Sequence, residues 1–409
     1  MRILFVHQNF PGQFRHLAPA MAARGHQVVA LRQGQPREQF PGVTIEHYKL
    51  PRGNTPGIHP WALPFESKVV HAEAAGRAAL TLKAGGFTPD LIYVHPSWGE
   101  SLGLREVWPR SCIVSFCEFH YHPNGADTNF DPEFGPPDWA SDVRVRIKNA
   151  AHHLAMELAD YGISPTEWQR AQLPEWFKPH ISVVHDGIDT DAVMPNPQAQ
   201  LGIQSRDVEL HAGDEVITFV SRTLEPYRGY HVFMRALPEI LRRRPNARAL
   251  IVGSSEGGYG AAAPAGKTWR QIFLEEAVAA GLDLSRVHFL GRIPYPAFVS
   301  VLQVSAVHVY LSYPFVLSWS LLEAMSAGCL IVGSNTPPVA EVIRHEQNGV
   351  LVDFFDVGGL VDAVSDGLSS AVSHPLLRQA ARQTVLDRYD LRRICLPRQI
   401  ELLEKFSAA

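Results

Sequence analysis

The stretch RILFVHQNFPGQFRHLAPAMAARG, residues 2–25, decides the fold class. Residues 2–7 hold an apolar run without polar alternation, which predicts a strand covered on both faces of its sheet. A glycine-containing loop follows, and then a helix that ends at Gly25, a good C-cap. The apolar face of this helix consists of Phe14, Leu17, Ala18 and Met21. Strand, loop and helix in this order form the unit from which parallel α/β sheets are built.

The same alternation runs through the first half of the chain and restarts after residues 195–198. It predicts an α/β fold of two doubly wound, Rossmann-like parallel sheets facing each other. We divide the chain into an N-terminal domain (1–198), a C-terminal domain (199–385) and a C-terminal helix (386–409). The Gly- and Ala-rich segment 253–266 predicts a mobile loop. The other predicted strands are 90–95, 112–117, 181–187, 215–222, 248–254, 286–291, 307–312, 329–334 and 349–354.

The composition excludes several classes of protein. With 409 residues, 46% of them hydrophobic and 19% charged, the chain is typical of a soluble protein of two or three domains. A formal net charge of −4 gives no reason to expect nucleic acid as a partner. The four cysteines lack the spacing of a metal site, and we find neither a signal peptide nor a membrane span. We therefore expect a cytoplasmic protein.

Ligands bind at the carboxyl ends of strands in open α/β sheets, so the loops after the strands are the candidate sites. Gly12 precedes a helix N-terminus and can contact a phosphate or pyrophosphate, although an ordinary tight turn is the favoured interpretation when this loop is taken alone. Arg222 and Arg228 follow the strand 215–222, and two guanidiniums there can neutralise a diphosphate. Isolated surface arginines are the alternative, but the position at a strand end favours a function.

Two further loops carry titratable groups. In YPFVLSWSLLEAM, residues 313–325, Ser318 or Ser320 caps a helix beginning near Leu321, with Glu323 in its first turn. That carboxylate can accept hydrogen bonds from a ribose diol, or it merely complements the helix dipole.

The stretch 115–134 follows a strand and holds several titratable side chains, among them Glu118, His120 and His122. This density makes it a candidate active site. The two histidines have no third ligand near them in sequence, so we predict no metal there.

Taken together, these motifs resemble the retaining glycosyltransferases of family 4, which have the GT-B fold. The resemblance spans nearly the whole chain and is strongest from about residue 221 to 355. It rests on the order and spacing of several segments. These are FPGQFRHLAPAMAARGHQV, SPTEWQRAQLP with VVHDGID, SRTLEPYRG, VHFLGRIP, SLLEAMSAGCLIVGS and PPVAEVIRHEQNGVLVD.

The resemblance implies a role for each candidate. Arg222 and Arg228 take the arginine and lysine positions that hold the diphosphate of a nucleotide sugar. Gly12 matches the glycine loop that touches the diphosphate from the N-terminal domain. Glu323 matches the second glutamate of the family's E-x7-E motif, which binds the ribose. The backbone around Arg292 and Ile293 lies at the edge of the base, and the C-terminal helix crosses back to the N-terminal domain.

The chain departs from the family at two places. Phe315 stands where the first glutamate of the motif contacts the transferred sugar, and Val316, Leu317 and Ser318 follow it in place of a glycine-containing turn. A branch of the family with this form is implied. Glu118 stands roughly where the family has a catalytic histidine, with His120 two residues on. We expect one of the two near the transferred sugar.

The predicted function is transfer of a sugar from a nucleotide-diphosphate donor, UDP or GDP, with no metal and no cofactor. The acceptor is a glycan, a lipid-linked saccharide or a small molecule, as in polysaccharide or glycoconjugate biosynthesis. The segment VRVRIK, residues 143–148, adds at most a weak peripheral membrane contact. Two alternatives stay open: a catalytically silent GT-B module that binds nucleotide or glycan, and an epimerase acting on a nucleotide sugar.

Overall fold

A computed structural model describes residues 1–35, 38–134, 138–203, 208–369 and 374–408 of the chain. The chain forms two compact units. Unit 1 consists of Met1–Asp186 together with Arg392–Ala409, and unit 2 is the continuous segment Gly187–Leu391. These divisions lie near those expected from the sequence, at 198/199 and 385/386, but do not coincide with them.

Unit 1 is built on a seven-stranded parallel sheet with the strand order β3-β2-β1-β4-β5-β6-β7. Its strands are β1 (Arg2–Val6), β2 (Gln27–Gln33), β3 (Val43–Tyr48), β4 (Leu91–Val94), β5 (Cys112–Phe116), β6 (Tyr161–Ser164) and β7 (Ile181–Val183). Its first helices are α1 (Leu17–Ala23), α2 (Leu63–Ala84), α3 (Leu104–Val107), α4 (Trp139–Leu158) and α5 (Glu167–Gln172).

Strand β1 shows why the sheet is covered on both faces. Ile3 and Phe5 belong to one buried hydrophobic cluster, whereas Leu4 belongs to a second. Successive side chains of a strand point to opposite faces, so an apolar run without alternation requires cover on both sides.

The last helix of the chain, α13 (Leu396–Ala408), supplies part of the core of unit 1. Leu403 is fully buried in the first of the two clusters of β1. Phe406 stacks on Tyr161 of β6, with the ring centroids 4.2 Å apart and the rings nearly coplanar at 7°. The structure thus places the final segment in unit 1.

Unit 2 contains a six-stranded parallel sheet with the order β12-β11-β10-β13-β14-β15, and a separate antiparallel hairpin formed by β8 and β9. The strands are β8 (Gln200–Ile203), β9 (Val208–His211), β10 (Val216–Thr223), β11 (Arg248–Ser254), β12 (Val287–Gly291), β13 (Val307–Tyr310), β14 (Leu330–Ser334) and β15 (Val350–Val352). The helices are α6 (Tyr230–Arg243), α7 (Trp269–Ala279), α8 (Tyr295–Gln303), α9 (Trp319–Ser326), α10 (Pro337–Ala340), α11 (Val357–Ser369) and α12 (Pro375–Arg388).

Local contacts explain why unit 2 begins before residue 199. Ile188 and Val193 are buried in its core. The backbone of Ile188 donates to the carbonyl of Tyr389 (2.8 Å) and accepts from the N–H of Leu391 (2.9 Å). The first residues of the unit are therefore hydrogen-bonded to its last ones.

The predicted α/β class with two parallel sheets is confirmed, and all ten predicted strands are present, with ends that differ from the prediction by at most four residues. The sequence patterns did not predict the strands β2, β3 and β6 or the antiparallel pair β8–β9. Within the described ranges, no helix combines the length and the hydrophobicity needed to cross a membrane.

A buried neutral histidine in each unit predicts acid sensitivity of the fold. Burial lowers the pKa of His185 in unit 1 to about 4 and that of His308 in unit 2 to about 3. Both side chains take up a proton near pH 6.5 once unfolded, so stability is complete above pH 6.5 and falls below it. We expect each histidine to lower the free energy of unfolding by about 2 kcal/mol at pH 4.5 to 5, relative to its value above pH 6.5.

Urea unfolding at pH 7.5, 6.0 and 5.0 tests this expectation, with His308→Gln as the comparison. Between pH 7.5 and 5.0, the urea concentration at the unfolding midpoint should fall less for the variant than for the parent. Equal losses in both proteins would show that His308 does not carry the effect.

Candidate functional site

Each sheet reverses its winding direction beside its first strand, which creates a crevice at the carboxyl ends of two neighbouring strands. In unit 1 the crevice lies between β1 and β4, and in unit 2 between β10 and β13. Most candidate residues of both units follow these strands or their immediate neighbours, whereas Arg292 and Ile293 follow β12, two strands from β10. Each unit therefore carries a candidate half-site of its own.

Arg228 is the centre of the half-site in unit 2. Its guanidinium is buried, with 9% of the residue exposed, in the turn between β10 and α6. Its Nη1 donates to Ser312 Oγ (2.8 Å), to the Val316 carbonyl (2.9 Å) and, at 3.4 Å, to Tyr310 Oη. All three acceptors are neutral oxygens, so these hydrogen bonds orient the positive charge without neutralising it.

Gly229 allows this arrangement. Its φ of +67° lies in the left-handed region, and a Cβ there would come within 2.3 Å of Leu311 Cβ. Any side chain would thus push the Arg228 turn away from the end of β13. Arg222 lies near the carboxyl end of β10 and is exposed, so it projects from the same strand end without being buried.

Tyr310 links Arg228 to the start of helix α9. Its hydroxyl oxygen accepts from Arg228 and also, at 2.8 Å, from the backbone N–H of Ser318. Ser318 is the N-cap of α9, so the helix begins at Trp319, two residues earlier than predicted. Glu323 consequently lies in the second turn and not in the first, which removes the simple dipole-complementing interpretation of this carboxylate.

Glu323 is buried, with 8% of the residue exposed, and its Oε1 accepts a hydrogen bond from Tyr295 Oη at 2.8 Å. Burial raises the pKa of its carboxyl to about 7, and the Tyr295 bond acts against that rise. Tyr295 follows closely after Arg292 and Ile293, of which Arg292 is exposed and Ile293 is half-buried. The hydrogen bond from Tyr295 thus ties the predicted ribose carboxylate to the segment that follows Arg292 and Ile293.

Phe315 and Leu317 are buried, with 3% and 5% of each residue exposed. Leu317 belongs to the hydrophobic core of unit 2. Only its backbone can contact a ligand without repacking that core. Phe315 instead lies beside Arg228, with the guanidinium carbon 5.5 Å from the ring centroid.

In unit 1, His7 stands at the end of β1 in a defined tautomer. The N–H of Asn9 donates to His7 Nδ1 (2.9 Å), so the proton resides on Nε2, which donates to Gln13 Oε1 (2.9 Å). Burial, reinforced by the neighbouring His95, lowers the pKa of His7 to about 3 and keeps the ring neutral.

Gly12 covers the ring of His7. Its φ is +47°, and a Cβ would approach His7 Nε2 to 2.3 Å. Gly12 opens a three-residue 3-10 turn, whereas α1 begins only at Leu17. The expected helix N-terminus at Gly12 is therefore a short turn, and the glycine is required by its close approach to His7.

Glu118 completes this cluster from the neighbouring strand β5. Its Oε1 accepts from Gln13 Nε2 at 3.4 Å, and its Oε2 lies 3.6 Å from His95 Nε2. His95 itself is almost completely buried at the end of β4, and its ring lies 4.6 Å from that of Trp98. A third of the Glu118 side chain stays exposed, so this carboxylate is both oriented and accessible.

His120 belongs to a different group. Its Nε2 is 2.8 Å from Nε2 of His153 on α4, and burial together with His122 and His153 lowers its pKa to about 4. His122 Nε2 donates to the Gln172 carbonyl at 2.8 Å. The structure thus separates Glu118, in the cluster at the strand ends, from His120, which is paired with a helix.

Several residues of these half-sites were not singled out from the sequence, namely His7, Gln13, Tyr295 and Tyr310. His7 is the last residue of the predicted strand 2–7, so the rule of strand ends could have found it. Tyr295 and Tyr310 act through hydroxyl contacts with residues 28 and 8 positions away, and no local pattern signals these.

Comparison with known families matches both units to sugar-transferring enzymes. Residues 24–193 match the glycosyl transferase family 4 group, and residues 203–384 match the glycosyl transferases group 1. The two matches together cover most of the chain and meet close to the boundary between the units.

Two curated relatives and one solved structure agree with this result. The chain is 24% identical to the glycogen synthase of Mycobacterium tuberculosis, over 95% of this chain and 91% of that protein. It is 31% identical to the D-inositol 3-phosphate glycosyltransferase of Corynebacterium efficiens, over 70% of this chain and 64% of the relative. The fold is similar to that of Anabaena Alr3699/HepE, solved in complex with UDP-glucose, with a TM-score of 0.67, 18% identity and full coverage of both chains.

Proposed function

We infer that the chain is a glycosyltransferase of the family 4 type with the GT-B fold, and that it is a retaining enzyme using a nucleotide-diphosphate sugar. The donor binds in the half-site of unit 2, where Arg222 and Arg228 hold the diphosphate and Glu323 holds the ribose. The transfer needs no metal at the diphosphate, because two guanidiniums supply the positive charge.

The buried, unneutralised guanidinium of Arg228 carries this proposal. Burying a charge is costly unless an opposite charge pairs with it and hydrogen bonds satisfy its donors. Arg228 donates to three neutral oxygens from Nη1 alone. Glu225 interacts electrostatically with Arg228, but its carboxylate accepts hydrogen bonds from two backbone N–H groups and not from the guanidinium. An anion bound at Arg228 would complete the compensation.

The same charge serves the chemistry. When the bond between the anomeric carbon and the diphosphate oxygen breaks, negative charge accumulates on the departing nucleoside diphosphate. Guanidiniums already fixed at that position stabilise the developing charge without reorganising, which is usually the largest contribution to catalysis. We assign this role to Arg228 and Arg222.

The acceptor is a saccharide, a lipid-linked saccharide or a small molecule. The names of the two relatives, glycogen synthase and D-inositol 3-phosphate glycosyltransferase, support a carbohydrate or polyol hydroxyl as the accepting group. We propose that the acceptor contacts lie in the loops of unit 1 at residues 53–64 and 95–100.

Thermal unfolding with UDP, GDP, ADP, TDP and CMP tests the proposed donor class. A nucleotide at about 100 times its dissociation constant adds roughly 2.7 kcal/mol of stability, which raises the midpoint measurably. One nucleoside diphosphate should stabilise the protein and the others should not. The absence of a shift with all five would contradict the proposal.

In unit 1 we propose Glu118, and not His120, as the group that acts in the transfer. Glu118→Gln keeps the size of the side chain and removes its charge, and we expect transfer to fall by about 10²–10⁴-fold. His120→Gln should cost less than tenfold, because His120 is buried against His153. Initial rates with both variants decide between the two residues, and a larger loss for His120→Gln would reverse the assignment.

A further inference from the structure

An aromatic cluster fills the place beside Arg228 where the resemblance implies a sugar-binding carboxylate. Phe315 is buried, with its ring centroid 4.9 Å from that of Tyr259 and 5.5 Å from that of Tyr227. Tyr259 thus packs on a phenylalanine that is itself almost inaccessible. A bound sugar therefore cannot reach Phe315 unless Tyr259 moves.

Tyr259 is the accessible member of this cluster. It is 44% exposed, and its ring centroid lies 5.9 Å from the guanidinium carbon of Arg228. Among the described residues its hydroxyl has no hydrogen-bond partner, so one donor and acceptor group remains available. An aromatic face with a polar tip can pack on the C–H face of a pyranose and bind one hydroxyl.

Glu225 holds the loop that carries Tyr259. Its carboxylate accepts from the backbone N–H of Tyr259, at 3.0 Å to each oxygen, and from that of Gly260 at 3.1 Å. Only 2% of Glu225 is exposed, and a carboxylate is buried at this depth only where backbone donors compensate it. The loop between β11 and α7, expected to be mobile from its composition, is therefore anchored at its middle.

Glycines on both sides of Tyr259 make this anchoring sterically feasible. A Cβ at Gly258, where φ is +145°, would lie 2.4 Å from Glu225 Oε2. A Cβ at Gly260 would lie 2.7 Å from the ring of Tyr227. A side chain at either position would require Glu225 or Tyr227 to move, and at Gly258 the positive φ favours glycine as well.

We propose that Tyr259, positioned by Glu225, contacts the transferred sugar of the donor. It thereby replaces the contact that a glutamate at position 315 would make, where this chain has Phe315. The inference rests on the proposed function, in which Arg228 holds the diphosphate. The sugar is bonded directly to that diphosphate, so a side chain beside Arg228 is a neighbour of the sugar ring. The substrate class is a neutral sugar held by one ring face and one hydrogen bond.

This contact changes how strictly the sugar is recognised. A carboxylate accepts two hydrogen bonds, whereas a phenol forms one good contact with a hydroxyl. Epimers that differ at the contacted carbon are consequently discriminated by one hydrogen bond and by the fit of the ring face.

The experiment compares a nucleotide sugar with its own nucleoside diphosphate in the full-length protein. We use the pairs UDP-glucose and UDP, GDP-mannose and GDP, and ADP-glucose and ADP, and follow donor hydrolysis and binding. Tyr259→Ala should reduce kcat/KM for the nucleotide sugar by about 100-fold, and Tyr259→Phe by about tenfold, because it keeps the ring. The Kd of the nucleoside diphosphate should stay within about twofold of the parent value.

Variants of Glu225 test the positioning role. Glu225→Ala should reproduce the Tyr259→Ala loss, and Glu225→Gln should recover part of it, because the amide oxygen still accepts from the backbone. Unchanged turnover in Tyr259→Ala with normal nucleoside diphosphate binding would overturn this inference and leave the proposed function intact. Equal weakening of both ligands would assign Tyr259 to the nucleotide and also overturn it. A parent protein that binds no nucleoside diphosphate would overturn both proposals.

Discussion

An Arg222→Ala variant will bind nucleoside diphosphate more weakly and lose most of its transfer activity while it keeps its fold. Arg222 is exposed at the end of β10, so its removal leaves no cavity and no buried partner. A hydrogen bond to a charged group contributes about 1.5–3 kcal/mol, which corresponds to a Kd about 10- to 100-fold higher. Loss of leaving-group stabilisation should lower kcat by about 10²–10³-fold.

Isothermal titration and initial rates measure these two effects, and Arg242→Ala is the matched control. Arg242 is an exposed arginine of the same unit, paired with Glu239 on helix α6. Exposed ion pairs contribute at most about 1 kcal/mol to stability, so this variant should bind and turn over like the parent. Nucleotide binding by Arg222→Ala at the parent's affinity would show that the diphosphate lies elsewhere.

Glu323 should make nucleotide binding depend on pH near neutrality. Its pKa in the free protein is about 7 because the carboxyl is buried. The ionised form accepts hydrogen bonds from ribose hydroxyls better than the protonated form, so ligand binding lowers this pKa. Affinity should therefore be maximal above pH 7 and fall about tenfold for each unit of pH below it, until the pKa of the complex is reached.

The variant Glu323→Gln separates this effect from other titrations, because it cannot ionise. We expect it to bind the nucleoside diphosphate about 10- to 100-fold more weakly at pH 8, with a flat profile from pH 6 to 8. It should also lose the preference for a ribose over a 2′-deoxyribose. Titrations with the ribo- and 2′-deoxyribonucleoside diphosphates at three pH values provide the measurement. If the affinity of the variant depends on pH as steeply as that of the parent, Glu323 is excluded as the titrating group.

The sequence predicted the parallel α/β architecture because a buried parallel strand has a local signal, an apolar run between helical segments. It missed β3 and β6, where that signal weakens, and it also missed β2, although residues 28–31 form an apolar run. Strand β6 has only four residues, one of them Gly162, and β3 alternates between half-buried and exposed positions. Neither segment has the continuous apolar run that marks β1 or β10.

The candidate sites were predictable to the extent that they follow strand ends. Arg228 and Glu118 stand at such ends, and the rule pointed to both. Their partners come from distant parts of the chain: Ser312 is 84 residues from Arg228, and Gln13 is 105 residues from Glu118. Only the strand order of the sheets, which no local pattern contains, brings such groups together.

Unit 1 is built from two separate segments of the chain, and this has a consequence for folding during synthesis. Unit 2 is one continuous segment, whereas unit 1 needs helix α13, with Leu403 and Phe406, to complete its core. A ribosome makes the chain from the N-terminus, so unit 2 can reach its folded state during translation. Unit 1 must wait, with the faces of its sheet incompletely covered, until α13 has left the exit tunnel. A nascent chain stalled before residue 392 should expose this surface to chaperones and proteases.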